Sequence, residues 1–211
     1  FSLFEAKKEA QFHLQESNAA YIEMEKREFR LQHVNRVLQS IRNVNQLITK
    51  ETNTHHLLDS CCRLLIEASG YHRAWIVLLT DGRPTPPFHH AGFTDDFLPM
   101  EQYLDRGGIP QCAKRALNND DIIVTNNPSE DCPGCPFRDK YAFAWCLMED
   151  KAVITTGLSH AETVYGWISV VLPKVYSTNS DEHRLFNEIA SDIAYALHNI
   201  DEEKARRAAE I

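Results

Sequence analysis

Glycine and proline are missing from the first 50 residues of this chain of 211 residues. Because these are the two residues that interrupt helices, their absence permits one continuous helix over residues 1–50. The chain also lacks a run of about 18 apolar residues, which excludes a membrane-spanning helix, and no cleavable signal sequence is visible.

Positive charge is in the minority, with 22 Lys and Arg against 30 Asp and Glu and a net charge of −8. An acidic chain repels phosphate groups, so we expect no nucleic-acid partner and no contact with anionic membranes. The sequence has no glycine-rich phosphate loop and no kinase-like ATP motif, so we do not expect this segment to be an enzyme by itself. Six cysteines without secretory features predict thiols in a reducing, cytoplasmic environment.

The segment 1–50 has the spacing of a coiled-coil helix. Its apolar positions alternate at intervals of three and four residues, as in the seam between paired helices. The seam positions are Leu31, Val34, Leu38, Ile41, Asn45 and Ile48. A single polar seam residue, here Asn45, is typical of helices whose register and oligomeric state are fixed. We therefore expect a parallel homodimer through this helix; the alternative is one amphipathic helix that lies on its own domain.

The segment 51–178 switches between helical and strand periodicity, which predicts an α+β domain built on an antiparallel sheet. Thr52 or Asn53 can cap a first helix, which Gly70 ends. Residues 74–79 are apolar at every position, as in a central strand that is covered on both faces. The other predicted elements are a turn at 81–87, helices at 97–104 and 110–117, a loop at 126–138, and strands at 88–93, 122–125, 152–158 and 165–172.

The segment 179–211 is predicted to be a second long helix, capped by Asn179 or Ser180. Its apolar positions also alternate at intervals of three and four residues up to Ile200. Beyond Ile200 the pattern is too polar for a core and too rich in helix formers for a loop. We expect this helix to leave the domain and enter an output domain, which makes the chain a segment of a longer protein.

Five stretches of the sequence carry a family resemblance, and together they span about 36–200. The most specific are Gly-Tyr-His-Arg-Ala-Trp-Ile at 70–76 and Asp-Ile-Ala-Tyr-Ala-Leu at 192–197. The others lie at 38–48, 57–65 and 164–170. In these stretches the chain resembles the GAF domains of bacterial sensor proteins, especially those joined to PAS domains and histidine kinases.

The resemblance implies a central antiparallel sheet of five or six strands, with helices on both faces and extended coiled-coil helices at both ends. The terminal helices would cover one face, and shorter helices and loops would enclose a small-molecule pocket on the other. It further implies a sensory domain that pairs through its terminal helices. A PAS-like domain would lie upstream, and a histidine kinase or diguanylate cyclase downstream.

The most reactive residues belong to the segment Asp131-Cys132-Pro133-Gly134-Cys135-Pro136. A Cys-x-x-Cys turn supplies half of a tetrahedral metal site, and the same spacing also serves redox dithiols. We expect Cys112 to join the pair, because in a GAF arrangement both segments lie over the same side of the pocket. His160, Cys146 or an exogenous group would be the fourth ligand of zinc or of an iron–sulfur cluster. The alternatives are a reversible dithiol and free thiols that only order a turn.

Two further interpretations compete with the sensory one. Some GAF-fold proteins reduce free methionine sulfoxide with cysteine thiolates, although the cysteine spacing here does not match theirs closely. The other interpretation is that the domain is a purely structural dimerisation spacer with a vestigial pocket. Trp145, beside Cys146, is the aromatic residue predicted to line a ligand pocket if the domain senses a small molecule.

Overall fold

A computed structural model, which describes residues 2–118, 121–138 and 150–210, shows one antiparallel sheet between two helical layers. The helices are α1 (Ser2–Ile48), α2 (Thr54–Ser69), α3 (Leu98–Asp105), α4 (Gln111–Asn118), α5 (Pro128–Asp131) and α6 (Ser180–Ala209). The strands are β1 (Arg73–Thr80), β2 (Arg83–Ala91), β3 (Ile123–Thr125), β4 (Lys151–His160) and β5 (Thr163–Pro173). The predicted α+β class and sheet architecture are confirmed.

The five strands follow the order β2-β1-β5-β4-β3, and every neighbouring pair is antiparallel. The central strands β1 and β5 are apolar on both faces because helices cover the sheet on each side. The turn between β4 and β5 is short, since His160 pairs with Thr163. This topology places α1, α2 and α6 on one face, and α3, α4 and the segment 126–138 on the other.

Strand β2 differs from the prediction, which placed a turn over 81–87. The strand begins at Arg83, so the turn is confined to Asp81 and Gly82, both of which have positive φ. The three prolines 84, 86 and 87 therefore lie within the strand. This is possible because β2 is at the edge of the sheet, where a missing N–H donor costs no ladder hydrogen bond.

The ends of α2 and α6 follow the predicted capping chemistry. The Asn53 side chain accepts a hydrogen bond from the backbone of His56, and Gly70 ends α2 in the left-handed conformation with φ 74°. Asn179 caps α6 by accepting from the backbone N–H of Asp181. Within the described ranges, no helix combines the length and the apolar character needed to cross a membrane.

Helix α1 has two apolar sides with different environments. Its C-terminal half packs against α2 and α6 through the buried Val37, Ile41 and Val44. Leu31 and Leu38, in contrast, are 64% and 47% exposed. The predicted seam is therefore divided, since Ile41 serves the domain's own core while the two leucines face outward.

Candidate functional site

The structure brings Cys112, Cys132 and Cys135 together on the sheet face opposite α6. Cys112 lies in the first turn of α4, and the other two cysteines follow α5 in a tight turn. They line one cavity of about 20 Å³, whose other lining residues are Trp75, Met100, Pro110, Thr125, Phe137, Val153 and Trp167. We call these three residues the cysteine cluster.

The turn that holds Cys132 and Cys135 has a simple local cause. Pro133 fixes its own φ, and Gly134 has φ 79°, which fits a turn with proline first and glycine second at its centre. The turn is closed by a hydrogen bond of 3.1 Å from the Cys135 N–H to the Cys132 carbonyl. The Cys-x-x-Cys spacing therefore places both thiols on the same side of a rigid loop.

The three sulfurs differ in their hydrogen bonding. Hydrogen bonds with the Cys112 and Cys135 side chains, and with the backbone at the start of α4, lower the pKa of Cys132. The same hydrogen bonds, together with burial, raise the pKa of Cys112 and that of Cys135. The three thiols therefore form one hydrogen-bonded group, in which the ionisation of each thiol depends on the other two.

The cavity beside the cluster limits what it can receive. Pockets for organic ligands usually measure about 300–1,000 Å³, whereas about 20 Å³ accommodates roughly one water-sized species. A cavity of about 400 Å³ lies instead between α4, the β4–β5 turn and α6, and none of the five cysteines that the structure describes lines it. The chemistry available at the cluster is therefore that of its own thiols with a very small reactant or ion.

The remaining residues that the sequence placed in this site have other positions. His160 is at the end of β4, where its ring lies 5.3 Å from that of Tyr195 and 4.8 Å from that of His198. Both partners belong to α6, on the other face of the sheet, so His160 does not join the cysteine cluster. Trp145 and Cys146 lie outside the described residues.

The predicted metal site stays a prediction. In the described part of the chain, no group of three or more His, Cys, Asp or Glu side chains is arranged to hold a metal ion. Three neighbouring sulfurs still have the donor chemistry that zinc and iron–sulfur clusters favour. Zinc or iron–sulfur ligation by Cys112, Cys132 and Cys135 is therefore a question for metal analysis.

Strand β4 connects the cysteine cluster with the helical layer on the opposite face. Thr155 hydrogen-bonds with the Cys112 side chain, and its hydroxyl lies 2.9 Å from that of Ser169. The next residue, Thr156, donates a hydrogen bond of 3.1 Å to the side-chain oxygen of Asn187 in α6. Because adjacent strand residues point to opposite faces, β4 contacts the cysteine cluster on one face of the sheet and α6 on the other.

A buried polar group that the sequence did not predict joins α1 to α6. The carboxylate of Glu182, whose side chain is 1% exposed, lies 2.6 Å from the His33 ring nitrogen and accepts a hydrogen bond of 2.6 Å from the Tyr71 hydroxyl. The His33 ring also stacks on Tyr176 at 3.8 Å. Burial, followed by the charge of Glu182, raises the pKa of Tyr71, which keeps this hydroxyl protonated as a donor.

Comparison with solved structures identifies the architecture. A GAF domain of the A. aeolicus protein nlh2, solved in an inactive state, matches with a TM-score of 0.59 and 13% identity over 77% of this chain and 96% of that one. The GAF domain of a phosphoenolpyruvate-protein phosphotransferase from Coxiella burnetii gives 0.58 and 14% over 82% and 99%. The fold is that of a GAF domain.

The GAF fold is also shared by an enzyme. The free methionine-R-sulfoxide reductase of Neisseria meningitidis, solved with its substrate, has a TM-score of 0.54 and 10% identity over 79% of this chain and 91% of that one. No family model matches the sequence, and no curated protein is detectably similar to it. At such low identities the likeness establishes the GAF fold and leaves function to the residues themselves.

Proposed function

We propose that this GAF-fold chain is the signal-input domain of a larger signal-transduction protein, with the cysteine cluster as its receiving site. The observation that carries the proposal is the connection from Cys112 through Thr155 and Thr156 to Asn187 of α6. Helix α6 continues beyond Ile200, its last buried residue, into an exposed segment. A chemical change at the cluster thus has a short route to a helix that extends past the domain.

The type of output domain is inferred from the sequence resemblance. We propose a cytoplasmic parent protein with a histidine kinase or diguanylate cyclase as output domain and a PAS-like domain upstream. The extended α1 and α6 would connect this GAF domain to both neighbours, since helices that protrude from a domain transmit rigid-body motion.

The partner that we propose is a second copy of this chain, paired through α1. Met24, Leu31 and Leu38 are all about half exposed or more, and they are spaced at intervals of seven residues along one side of the helix. Such a stripe is the seam of a two-stranded coiled coil. Residues 11–32 of α1 are all exposed in the single chain, and a long exposed helix gains stability from a partner helix.

The double substitution Leu31→Lys/Leu38→Lys should convert the dimer to a monomer. Two charges in the seam lose apolar burial and repel each other, so we expect the dissociation constant to rise at least about 100-fold. Light scattering coupled to size exclusion distinguishes the dimer from the monomer of 24.2 kDa. Val175→Lys is the matched control, because Val175 is 72% exposed and lies outside α1. A monomeric unsubstituted chain would contradict the proposal, and so would a double variant that remains dimeric.

Transmission can be tested without any redox reagent. Cys112→Leu adds bulk beside Thr155, so we expect hydrogen exchange to rise at least about threefold in α6 around Asn187. Adding Asn187→Ala removes the bond to Thr156 and should reduce that increase by half or more, whereas adding the exposed Glu188→Ala should leave it unchanged. If Cys112→Leu alters exchange only in α4 and β4, the cluster does not communicate with α6.

Reduction of free methionine sulfoxide is a second candidate, favoured by the fold of the Neisseria enzyme and by the presence of three neighbouring thiols. The cavity of about 20 Å³ argues against it, because an amino-acid substrate has no room there. Turnover of free methionine sulfoxide by the purified chain decides between the two. Sustained turnover that Cys132→Ser abolishes would establish reductase activity. If no turnover is detected, the sensory role remains the proposed function.

A further inference from the structure

We propose that His55 and His89 bind a divalent transition-metal ion such as Zn²⁺ at the junction of α2 and β2. His55 lies in the first turn of α2, and His89 lies near the end of the edge strand β2. The site goes beyond the proposed function, because it includes no residue of the cysteine cluster.

The sheet register places His89 beneath α2. His89 pairs with Ile76 of β1, whose side chain belongs to the core on the α2 face, so His89 points to that face as well. The His89 side chain is 1% exposed, whereas His55 is exposed at the surface. The pair therefore combines one ring that is held in place by packing with one that a metal ion in solvent can reach.

The distance between the two rings suits a shared metal ion better than a hydrogen bond. The Nδ1 atom of His55 and the Nε2 atom of His89 are 3.5 Å apart, beyond the range of about 2.7–3.2 Å for ordinary N–H hydrogen bonds. Two nitrogens that each lie about 2.0–2.1 Å from one tetrahedral zinc ion are about 3.3–3.4 Å apart. The ring centroids are 5.5 Å apart, so these two nitrogens are the atoms with which the rings face each other.

Asp59 leaves the nitrogen of His89 that faces His55 free for a metal. The Asp59 carboxylate lies 2.7 Å from Nδ1 of His89, and an ionised carboxylate can only accept, so Nδ1 carries the ring proton. In the neutral ring, Nε2 then has an unprotonated lone pair. Histidine ligands of metal ions usually have such a carboxylate on their other nitrogen, where it fixes the tautomer and the orientation of the ring. Asp59 is therefore a positioning residue of this site.

Negative charges outnumber positive ones among the groups that contact the first turn of α2. The carboxylates of Glu51 and Asp59 flank this turn, and they offset the helix dipole, which disfavours a cation at a helix start. The ammonium group of Lys204 donates a hydrogen bond to Thr54 in the same turn, but it is also paired with Asp201. The local charge is therefore compatible with a bound divalent ion.

The two histidines supply half of a tetrahedral ligand set, and water molecules complete it. Imidazole nitrogen is a favourable ligand for zinc, copper and nickel, whereas magnesium and calcium prefer oxygen ligands. The site therefore selects the first class of ion. Two protein ligands in place of four predict a moderate affinity, with a Kd for Zn²⁺ of about 1–100 µM.

Calorimetric titration of the chain with Zn²⁺ tests the site. His55→Asn removes one ligand at the surface without disturbing the buried His89, so we expect binding to weaken at least about tenfold. His56→Asn is the matched control, since His56 is the next residue, is exposed and pairs with Glu51. The control should bind Zn²⁺ within about twofold of the unsubstituted chain. Equal affinity in His55→Asn and the unsubstituted chain would overturn the proposal.

The same titration with Co²⁺ distinguishes this site from the cysteine cluster. Cobalt binds the imidazole and thiolate ligands that zinc binds, and thiolate ligands give it an intense charge-transfer band in the near ultraviolet that imidazole and water do not give. We expect His55→Asn to lose a bound ion that lacks this band. If every Co²⁺ ion bound by the unsubstituted chain shows the thiolate band, the metal belongs to the cysteines and the histidine site is refuted.

Asp59→Ala tests the positioning role. We expect the Kd for Zn²⁺ to rise about tenfold or more, as it does when the outer carboxylate of other metal sites is removed. A structural role alone would lower the free energy of unfolding without metal and leave the Kd unchanged. That result would remove Asp59 from the site.

Discussion

Gly166→Ala should destabilise this domain strongly. A Cβ atom at this position would lie 2.0 Å from the carbonyl oxygen of Val77, and the glycine has φ 153°. The obstacle is backbone of the neighbouring strand, which cannot rotate away. Overpacking and an unfavourable φ each cost about 1–3 kcal/mol, so we expect a loss of about 4 kcal/mol in the free energy of unfolding. Urea unfolding followed by circular dichroism measures it.

Gly82→Ala separates the two causes. Gly82 has φ 73°, and no atom lies within 4 Å of its added Cβ. This control keeps the conformational cost without the clash, and it should lose about 1 kcal/mol. If both variants lost the same free energy of unfolding, β5 would be able to move away from β1 at little cost. The close backbone contact at Gly166 would then contribute little to the stability of the sheet.

Glu182→Ala should have the second largest effect, because it leaves two buried partners without an acceptor. His33 and Tyr71 both hydrogen-bond with this carboxylate at 2.6 Å. Removing one member of a buried polar network costs about 3–5 kcal/mol, so we expect a loss of about 3 kcal/mol or more. The contact between α1 and the start of α6 should loosen as well, which hydrogen exchange around His33 detects.

Glu188→Ala is the matched control, since Glu188 is an exposed glutamate on the same helix. It should change the free energy of unfolding by less than about 0.5 kcal/mol. The triple change Glu182→Leu/His33→Leu/Tyr71→Phe replaces the polar network by apolar groups and should recover much of the loss. A fully stable Glu182→Ala variant would show that the network contributes little to the junction of α1 and α6.

Much of this fold follows from local patterns in the sequence. Asn53, Gly70 and Asn179 mark helix ends, because capping and left-handed termination are local chemistry. The boundary of β2 could not be predicted, because prolines 84, 86 and 87 usually indicate a turn. Their place in a strand depends on β2 lying at the sheet edge, and strand order is a property of the whole fold.

The sequence predicted which cysteines form the candidate site better than it predicted how they interact. Cys112, Cys132 and Cys135 line one cavity, but nothing in their spacing shows that the three thiols hydrogen-bond with one another. His160 was placed wrongly because its direction depends on the strand register that turns it towards α6. Glu182 lies in the first turn of α6, where an exposed carboxylate is common, so only tertiary packing reveals its burial with His33.

The two edges of the sheet restrict how copies of the chain can associate. Strand β2 carries three prolines, which have no N–H to donate, and β3 is only three residues long. Neither edge is a good template for an incoming strand, so cross-strand polymerisation of the amyloid kind is disfavoured. Of the surfaces described, the exposed apolar stripe of α1 is therefore better suited to association than either edge of the sheet.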